Sequence, residues 1–316
     1  MHAEDFNPVP GKPDQIAPEL QRVLAPNPGP MTWRGTNTYL LGTRGVAVID
    51  PGPDDPAHLD AILGALGPHR HVSHIFVTHA HIDHAPLART LSAHTGAPVL
   101  AYGDAGAGRS DVMLALVARG LLSGGEGVDT GFRPDRALSD GAETVGDGWT
   151  LTAHWTPGHM GNHMVFAWQD AVFSGDLVMG WSSSLVSPPD GDMTDFMASC
   201  VRLHARAPRV LYPGHGAPVR RPAERIAELV AHRRAREAAL LAALAEGPGD
   251  LARLTERVYG DLASVLIPAA QRNTLAHLVD LHKRGAICAA PELQDDAVFA
   301  LVRKDDKKTT NASGRS

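Results

Sequence analysis

Apolar residues along this chain fall into short blocks cut by glycine, proline and charge, and the blocks alternate between strand-like and helix-like spacing. TYLLG (38–42) and VAVID (46–50) flank Thr43, Arg44 and Gly45, the pattern of a hairpin. The second run is apolar almost throughout, as a strand covered on both faces is. Pro51-Gly52-Pro53 ends it, and HLDAILGAL (58–66) then has helical spacing. HIFVT (74–78) predicts a buried strand, His84 to about Thr95 a second helix, and residues 98–101 a further strand. Residues 103–147 are rich in Gly, Ser and Asp around one helical patch (112–122), which predicts a surface excursion able to serve as a lid. Strands are expected at 149–155, 163–168 and 171–173. A helix N-capped by Thr194 and running to about Ala205 follows, then a strand in RVLYPG (209–214).

After Pro218 the texture changes. Pro222 opens a long Ala/Arg/Glu/Leu helix to about Glu246, closed by Gly247-Pro248-Gly249. Asp250 caps LARLTERVYG, residues 268–284 predict another amphipathic helix, and AICAA (286–290) with AVFALV (297–302) predict a hairpin. Helices followed by a hairpin make a winged-helix-like module. The expected division is therefore a body over 1–218, a module over 222–302 and a disordered polar tail over 303–316. Ile226, Leu229, Leu251, Leu254, Leu275 and Leu278 form the apolar face expected of the module.

Composition narrows the classes. The 316 residues are 43% hydrophobic, enough for a large core and too many for a disordered chain. No apolar run approaches a membrane span. The opening MHAEDFNPVPGKPDQ has no apolar segment of the secretory type, so a cytoplasmic protein is expected, with Cys200 and Cys288 as ordinary buried thiols. The net charge of −6 divides into −8 for residues 1–220 and +2 from Arg221 onward, which does not favour nonspecific nucleic-acid binding. The 17 histidines exceed the 7 Phe and 4 Tyr together, and that excess asks for a metal.

Thr78-His79-Ala80-His81-Ile82-Asp83-His84 supplies the place for one. Residues i and i+2 of an extended segment face one side, so His79 and His81 point together, and the turn that follows lets Asp83 and His84 aim nearby. Imidazole with carboxylate suits zinc, and also iron or manganese. His159, Asp176 and His215 repeat the placement, each after an apolar strand and a glycine that admits close backbone approach. Seven ligand-type residues suit two metals sharing one bridge.

HAHIDH (79–84), TPGH (156–159), SGD (174–176) and PGHG (213–216), in that order, resemble the metallo-β-lactamase superfamily of hydrolases, and VIDPG around Asp50 matches its first motif. The resemblance covers roughly 35–218. It implies an α/β fold, an αββα sandwich, with a dinuclear site between the sheet edges. By that resemblance His79, His81 and His159 hold the first metal, and Asp83, His84 and His215 the second. Asp176 would bridge the two, while Asp50 orients a ligand imidazole. NPGPMTWRGTNTYLLG (27–42), SPPDGDM (187–193) and HRRAREAALLAAL (232–244) are similar to the lactamase-β-like protein 2 subgroup. Its animal member is an endoribonuclease on single-stranded RNA, and its bacterial relatives pass as metallo-hydrolases with a glyoxalase II-like core.

The resemblance implies two Zn2+ (Fe or Mn also fit) and a metal-bridging hydroxide as nucleophile, with Asp83 and Asp176 in the catalytic set. The formal charge of such a site is about +1, which favours a substrate that is anionic or becomes so. A small anionic ester or thioester is the leading expectation. Single-stranded RNA as partner, a β-lactam or lactone, and a mononuclear iron dioxygenase are the alternatives. A thioesterase reading asks for cations from Arg225, Arg233, Arg234 and Arg236, whose plain reading is helix surface charge. A ribonuclease reading asks for Arg272, Lys283 and Arg284. His163 is a candidate proton donor to the leaving group, and Asn37 and Thr38 are candidate pocket residues.

Overall fold

The computed structural model describes residues 6–120 and 127–302. The chain opens with strands β1 (Asp14–Ala17), β2 (Leu20–Leu24), β3 (Asn37–Leu41) and β4 (Gly45–Ile49), each antiparallel to the next. Helix α1 (Pro56–Leu66) then crosses to β5 (His71–Phe76), and α2 (Leu87–Thr95) to β6 (Val99–Ala101). These strands pair in parallel, as crossover helices require. Helix α3 (Asp111–Ala118) precedes the edge strand β7 (Arg136–Ala137), and the first sheet runs β1-β2-β3-β4-β5-β6-β7. Strands β8 (Glu143–Val145), β9 (Thr150–Trp155), β10 (Met164–Trp168) and β11 (Ala171–Gly175) form an antiparallel meander. Helix α4 (Met193–Ala205) returns the chain to β12 (Val210–Pro213), parallel to β11, and the second sheet runs β12-β11-β10-β9-β8.

Side-chain alternation explains why the strands read as apolar throughout. Tyr39, Leu41, Ala47 and Ile49 face inward onto Leu151, Met164, Phe166 and Phe173 of the other sheet. Leu40, Val46 and Val48, the alternate positions, pack outward on Leu59, Ile62, Leu87 and Leu91 of α1 and α2. Val165, Val172 and Leu211 cover the opposite outer face with Phe196, Cys200 and Leu203 of α4. The result is the expected four-layer αββα sandwich.

Beyond it lie α5 (Pro222–Glu246), α6 (Leu251–Tyr259), α7 (Ile267–Lys283) and the hairpin of β13 (Ile287–Ala290) and β14 (Val298–Leu301). Leu240 and Leu244 join Leu254, Leu275, Leu278 and Phe299 in a C-terminal cluster that also takes Met113 and Leu116 from α3. Ile226 and Leu229, one end of α5, pack instead with Phe196 and Leu203 on the sandwich. Helix α5 therefore serves two cores.

Several local expectations shift. Strands β1 and β2 lie in a segment without clear alternation, where Arg22 is nevertheless buried under the Phe6 ring and paired with Asp14. Helix α2 starts at Leu87 rather than His84, because Pro86 disfavours helical backbone at the residue before it and residues 81–85 form a turn. The cap of α4 is Asp192, whose carboxylate accepts from the Thr194 and Asp195 amides, so Thr194 lies inside the helix. Cys200 is buried but Cys288 is exposed on the β13–β14 hairpin. The 103–147 excursion supplies α3, β7 and β8, and its residues 127–128 bond back onto Ile82 and His81. Its residues 121–126 and the 303–316 tail lie outside the described residues.

Candidate metal centre

Every candidate ligand stands just past the end of a strand. Thr78 to His84 follow β5, His159 follows β9, Asp176 follows β11 and His215 follows β12. The strand ends of both sheets thus meet at one edge of the sandwich. Close approach is built into the backbone: a Cβ on Gly214 would lie 2.6 Å from Asp176 Oδ1 and from His84 Cε1.

The imidazoles are oriented from behind. His84 Nδ1 donates to Asp50 Oδ2 at 3.0 Å, His159 Nδ1 to the Leu185 carbonyl at 2.6 Å, and His215 Nδ1 to the Gly35 carbonyl at 3.2 Å. Thr78 Oγ1 donates to Asp50 Oδ2 and so accepts from His79 Nδ1 at 2.9 Å. Each of these four rings therefore carries a proton on Nδ1 and turns Nε2 inward. His81 presents Nδ1, 2.9 Å from His79 Nε2 and 3.0 Å from His159 Nε2. His84 Nε2 and His215 Nε2 face each other at 3.2 Å.

Three donor groups result. His79, His81 and His159 converge on one side and Asp83, His84 and His215 on the other, while His79, His84 and Asp176 form a third group that overlaps both. Asp176 lies between them, its Oδ2 3.4 Å from His215 Nε2 and 3.8 Å from His159 Nε2, its buried Oδ1 without a hydrogen-bond partner. The two sides also differ in charge. Burial, reinforced by neighbouring imidazoles, holds His79 well below its ordinary value and lowers His81 to about 3. Burial lowers His159 as well. At His84 burial opposes the charge, but Asp83, Asp176 and Asp50 outweigh it and raise the ring to about 9. His215 is raised likewise, burial again being outweighed, chiefly by Asp176. Although Asp83 is half-buried and Asp176 buried, both are held far below the usual carboxylate range by His84 and His215. The bare nitrogens of His79, His81 and His159 cannot satisfy one another by hydrogen bonding, while His84 and His215 stand against carboxylates whose charge a cation would match in place of a proton. A pair of divalent cations fits this donor set.

The family model described as the metallo-beta-lactamase superfamily matches residues 31–215, more than half of the chain. The chain belongs to the metallo-β-lactamase superfamily. A second model, the beta-lactamase associated winged helix domain, matches residues 251–290. A beta-lactamase-like protein 2 homolog of Caenorhabditis elegans is 28% identical over 280 residues, covering 87% of this chain and 88% of its own. An atrochrysone carboxyl ACP thioesterase of Paecilomyces divaricatus is 32% identical over 264 residues, 82% of this chain and 75% of that one. Among solved structures, a metallo-beta-lactamase family protein from Thermus thermophilus aligns with a TM-score of 0.73 at 27% identity, covering 91% of this chain and all of that one. The protein is accordingly a metallo-β-lactamase-fold hydrolase with a winged-helix domain, of a superfamily that binds divalent metals.

The structure brings Asp50 and the seven ligand-type residues together, but not the three residues expected to line a pocket. Asn37 is buried and its amide donates to the Pro213 and Gly216 carbonyls. Thr38 is buried with its hydroxyl shared between the Asp50 carbonyl and His58. His163 is buried against Thr156 Oγ1 and accepts from the Asp176 amide at 3.2 Å, so its bare nitrogen supports Asp176 from outside the site. Burial holds it well below its ordinary value, and its one proton, on Nδ1, is donated to Thr156 Oγ1 and not to a leaving group. Two contributors escaped the sequence reading. Thr78 relays between Asp50 and His79, and its place beside His79 was a usable signal. The Leu185 carbonyl is backbone and left none. Ile82, 53% exposed between His81 and Asp83, marks the open side of the cluster.

Proposed function

We propose that this protein is a dinuclear metal-dependent hydrolase whose substrate is a small anionic thioester or ester. The observation that carries this reading is the convergence of bare imidazole nitrogens from His79, His81 and His159 beside Asp83, His84 and His215, with Asp176 reaching both sets. His79, His81 and His159 would hold one cation and Asp83, His84 and His215 the other, with zinc the best match to an imidazole-carboxylate set. Bound there, divalent ions supply Lewis acidity and lower the pKa of water toward neutrality. The chain's own part is to fix the Nδ1 protons of His84, His79, His159 and His215 on Asp50, Thr78, Leu185 and Gly35, so that these four rings present Nε2 to the ions. Asp83 and Asp176 bring negative charge that limits how strongly the site attracts anions.

The relatives named as ACP thioesterases favour a thioester over an oxygen ester. Of the cations a ribonuclease would need, Arg284 is tied to Glu237 and Asp280. Of those a thioesterase would need, Arg225 and Arg233 are turned inward and Arg236 donates to the Val258 carbonyl, so the thioester reading rests on the relatives and not on these arginines. A cytoplasmic setting completes the reading, in keeping with two free thiols. Among the described residues, no helix is long and apolar enough to cross a membrane.

The test is chelation, then reconstitution with zinc, with metal content read beside hydrolysis of acyl-glutathione, a lactone, a cephalosporin and labelled single-stranded RNA. The expected result is thioester hydrolysis that rises to a plateau at two ions per chain, with RNA left intact. Full activity at one ion would overturn the dinuclear reading. RNA cleavage that falls steeply with salt, without thioesterase activity, would overturn the substrate.

A further inference from the structure

The loop joining Asp176 to α4 has no regular secondary structure, yet its carbonyls are claimed almost one by one. Ser184 Oγ donates to the Leu177 carbonyl and Ser174 Oγ to that of Val178. The next three donors come from the C-terminal helices. Arg225 Nε donates to the Met179 carbonyl at 2.7 Å and its Nη2 to that of Ser182 at 2.8 Å. Arg233, about two turns further along α5, donates through Nη2 to the Ser184 carbonyl. Its Nη1 donates to Asn273 Oδ1 of α7 at 2.9 Å, and that same oxygen accepts from the Val186 amide at 3.1 Å. Leu185, held between these two fixed neighbours, turns its carbonyl to His159 Nδ1.

Arg233 is the unusual member. It is 1% exposed, lies over the Phe196 ring at 5.3 Å, and has no carboxylate partner among the described residues. An unneutralised buried guanidinium is a costly way to hold two helices together, since apolar side chains of similar volume pack there at lower cost. Its two donors in a rigid fork do what an apolar residue cannot: they fix a carbonyl and an amide oxygen at defined positions.

We propose that Arg225, Arg233 and Asn273 are positioning residues for the metal centre, a clamp through which the C-terminal helices orient His159 by fixing the Leu185 carbonyl. The clamp rests on His159 being a ligand, as the functional reading above has it. Partners that orient a ligand imidazole are worth about 10–100-fold in metal affinity or activity.

The test measures zinc affinity of the full chain by competition with a chelator, together with the absorption spectrum of the cobalt-substituted protein. Asn273→Ala removes the oxygen that Val186 and Arg233 share; Asn273→Asp keeps it. Asn273→Ala is expected to weaken binding of one of the two ions about tenfold and alter the cobalt spectrum, with Asn273→Asp close to the unmodified protein. Arg233→Met should match Asn273→Ala; if it does not fold, the Asn273 pair carries the test alone. His159→Ala is the reference. If it loses one ion while Asn273→Ala keeps unmodified affinity and spectrum, the clamp is overturned and the ligand assignment stands. If His159→Ala keeps both ions, the ligand assignment falls and the clamp with it.

Discussion

Exchanging Asp50 for asparagine changes one oxygen to an NH2 and should misdirect two ligands at once. Asp50 accepts three bonds: Thr78 N–H on Oδ1 at 2.7 Å, and Thr78 Oγ1 at 2.8 Å with His84 Nδ1 at 3.0 Å on Oδ2. An asparagine that keeps its oxygen on the Thr78 amide puts NH2 where Oδ2 was. His84 Nδ1 must then accept, which moves the ring proton to Nε2 and removes the lone pair aimed at the ion. The Thr78 hydroxyl must also accept there, and its own proton, released from Asp50, is free to turn to His79 Nδ1 and reverse that bond. Misorienting a ligand imidazole costs about 10–100-fold in metal affinity, or about 1.4–2.8 kcal/mol. Asp50→Asn should therefore fold, lose zinc affinity by at least tenfold, and regain hydrolysis only at raised zinc concentration. Asp50→Ala leaves all three donors buried without an acceptor, at about 1–3 kcal/mol each, and should lose folding stability as well. Zinc titration against a chelator, beside a denaturant melt, separates the two variants. An Asp50→Asn protein that binds both ions with unchanged affinity would refute the tautomer argument.

Two further outcomes follow from other sites. Gly158, just before His159, has φ +138, and a Cβ there would lie 2.2 Å from the Phe196 Cα. Gly158→Ala should cost more than about 3 kcal/mol or prevent folding, as read by urea melts; a cost below about 1 kcal/mol would contradict the packing. His277 is lowered to about 3, first by burial and then by Arg233, against an ordinary value of 6.5. Its depressed value means that the unfolded chain binds the extra proton, so stability is lost as pH falls below about 6.5. The loss by pH 5 is about 2 kcal/mol on the linkage relation. Replacing His277 with leucine should shallow that pH dependence by the same amount between pH 7 and pH 5; an unchanged slope would mean that His277 does not carry it.

The cluster of candidate ligands was legible because each announces itself by position: an apolar strand, a glycine or tight turn, then His or Asp. The four layers were legible because β4 is apolar at every position, which only a strand covered on both faces requires. What escaped had chemistry of the same type in a different setting. Asn37, Thr38 and His163 are polar residues near ligands, but near is not facing, and their bonds run to the Pro213 carbonyl, the Asp50 carbonyl and the Asp176 amide. Arg225 and Arg233 sit in an Ala/Glu/Arg helix whose pattern reads as a solvated face. That α5 packs on α4 and α6, with its arginines bonded to the 179–186 loop and to Asn273 of α7, is a tertiary fact with no periodic signature. Strands β1 and β2 were hidden for a related reason, since Arg22 occupies a covered position that pattern rules reserve for apolar side chains.

The ligands come from both sheets, and β3 is tied to the end of β12 before any ion is considered. Asn37 bonds to Pro213, Gly214 and Gly216, Tyr39 Oη to the Pro213 carbonyl, and Thr36 bridges to His215. His79 reaches its place when the first sheet closes, but His215 arrives only with the last strand of the second. Neither half of the chain, made alone, presents a complete donor set. An ion held by this set would thus be captured only after both sheets have docked in register. Ions held there would cross-link segments far apart in sequence, so that withdrawing metal should loosen the seam between the layers before it disturbs either sheet.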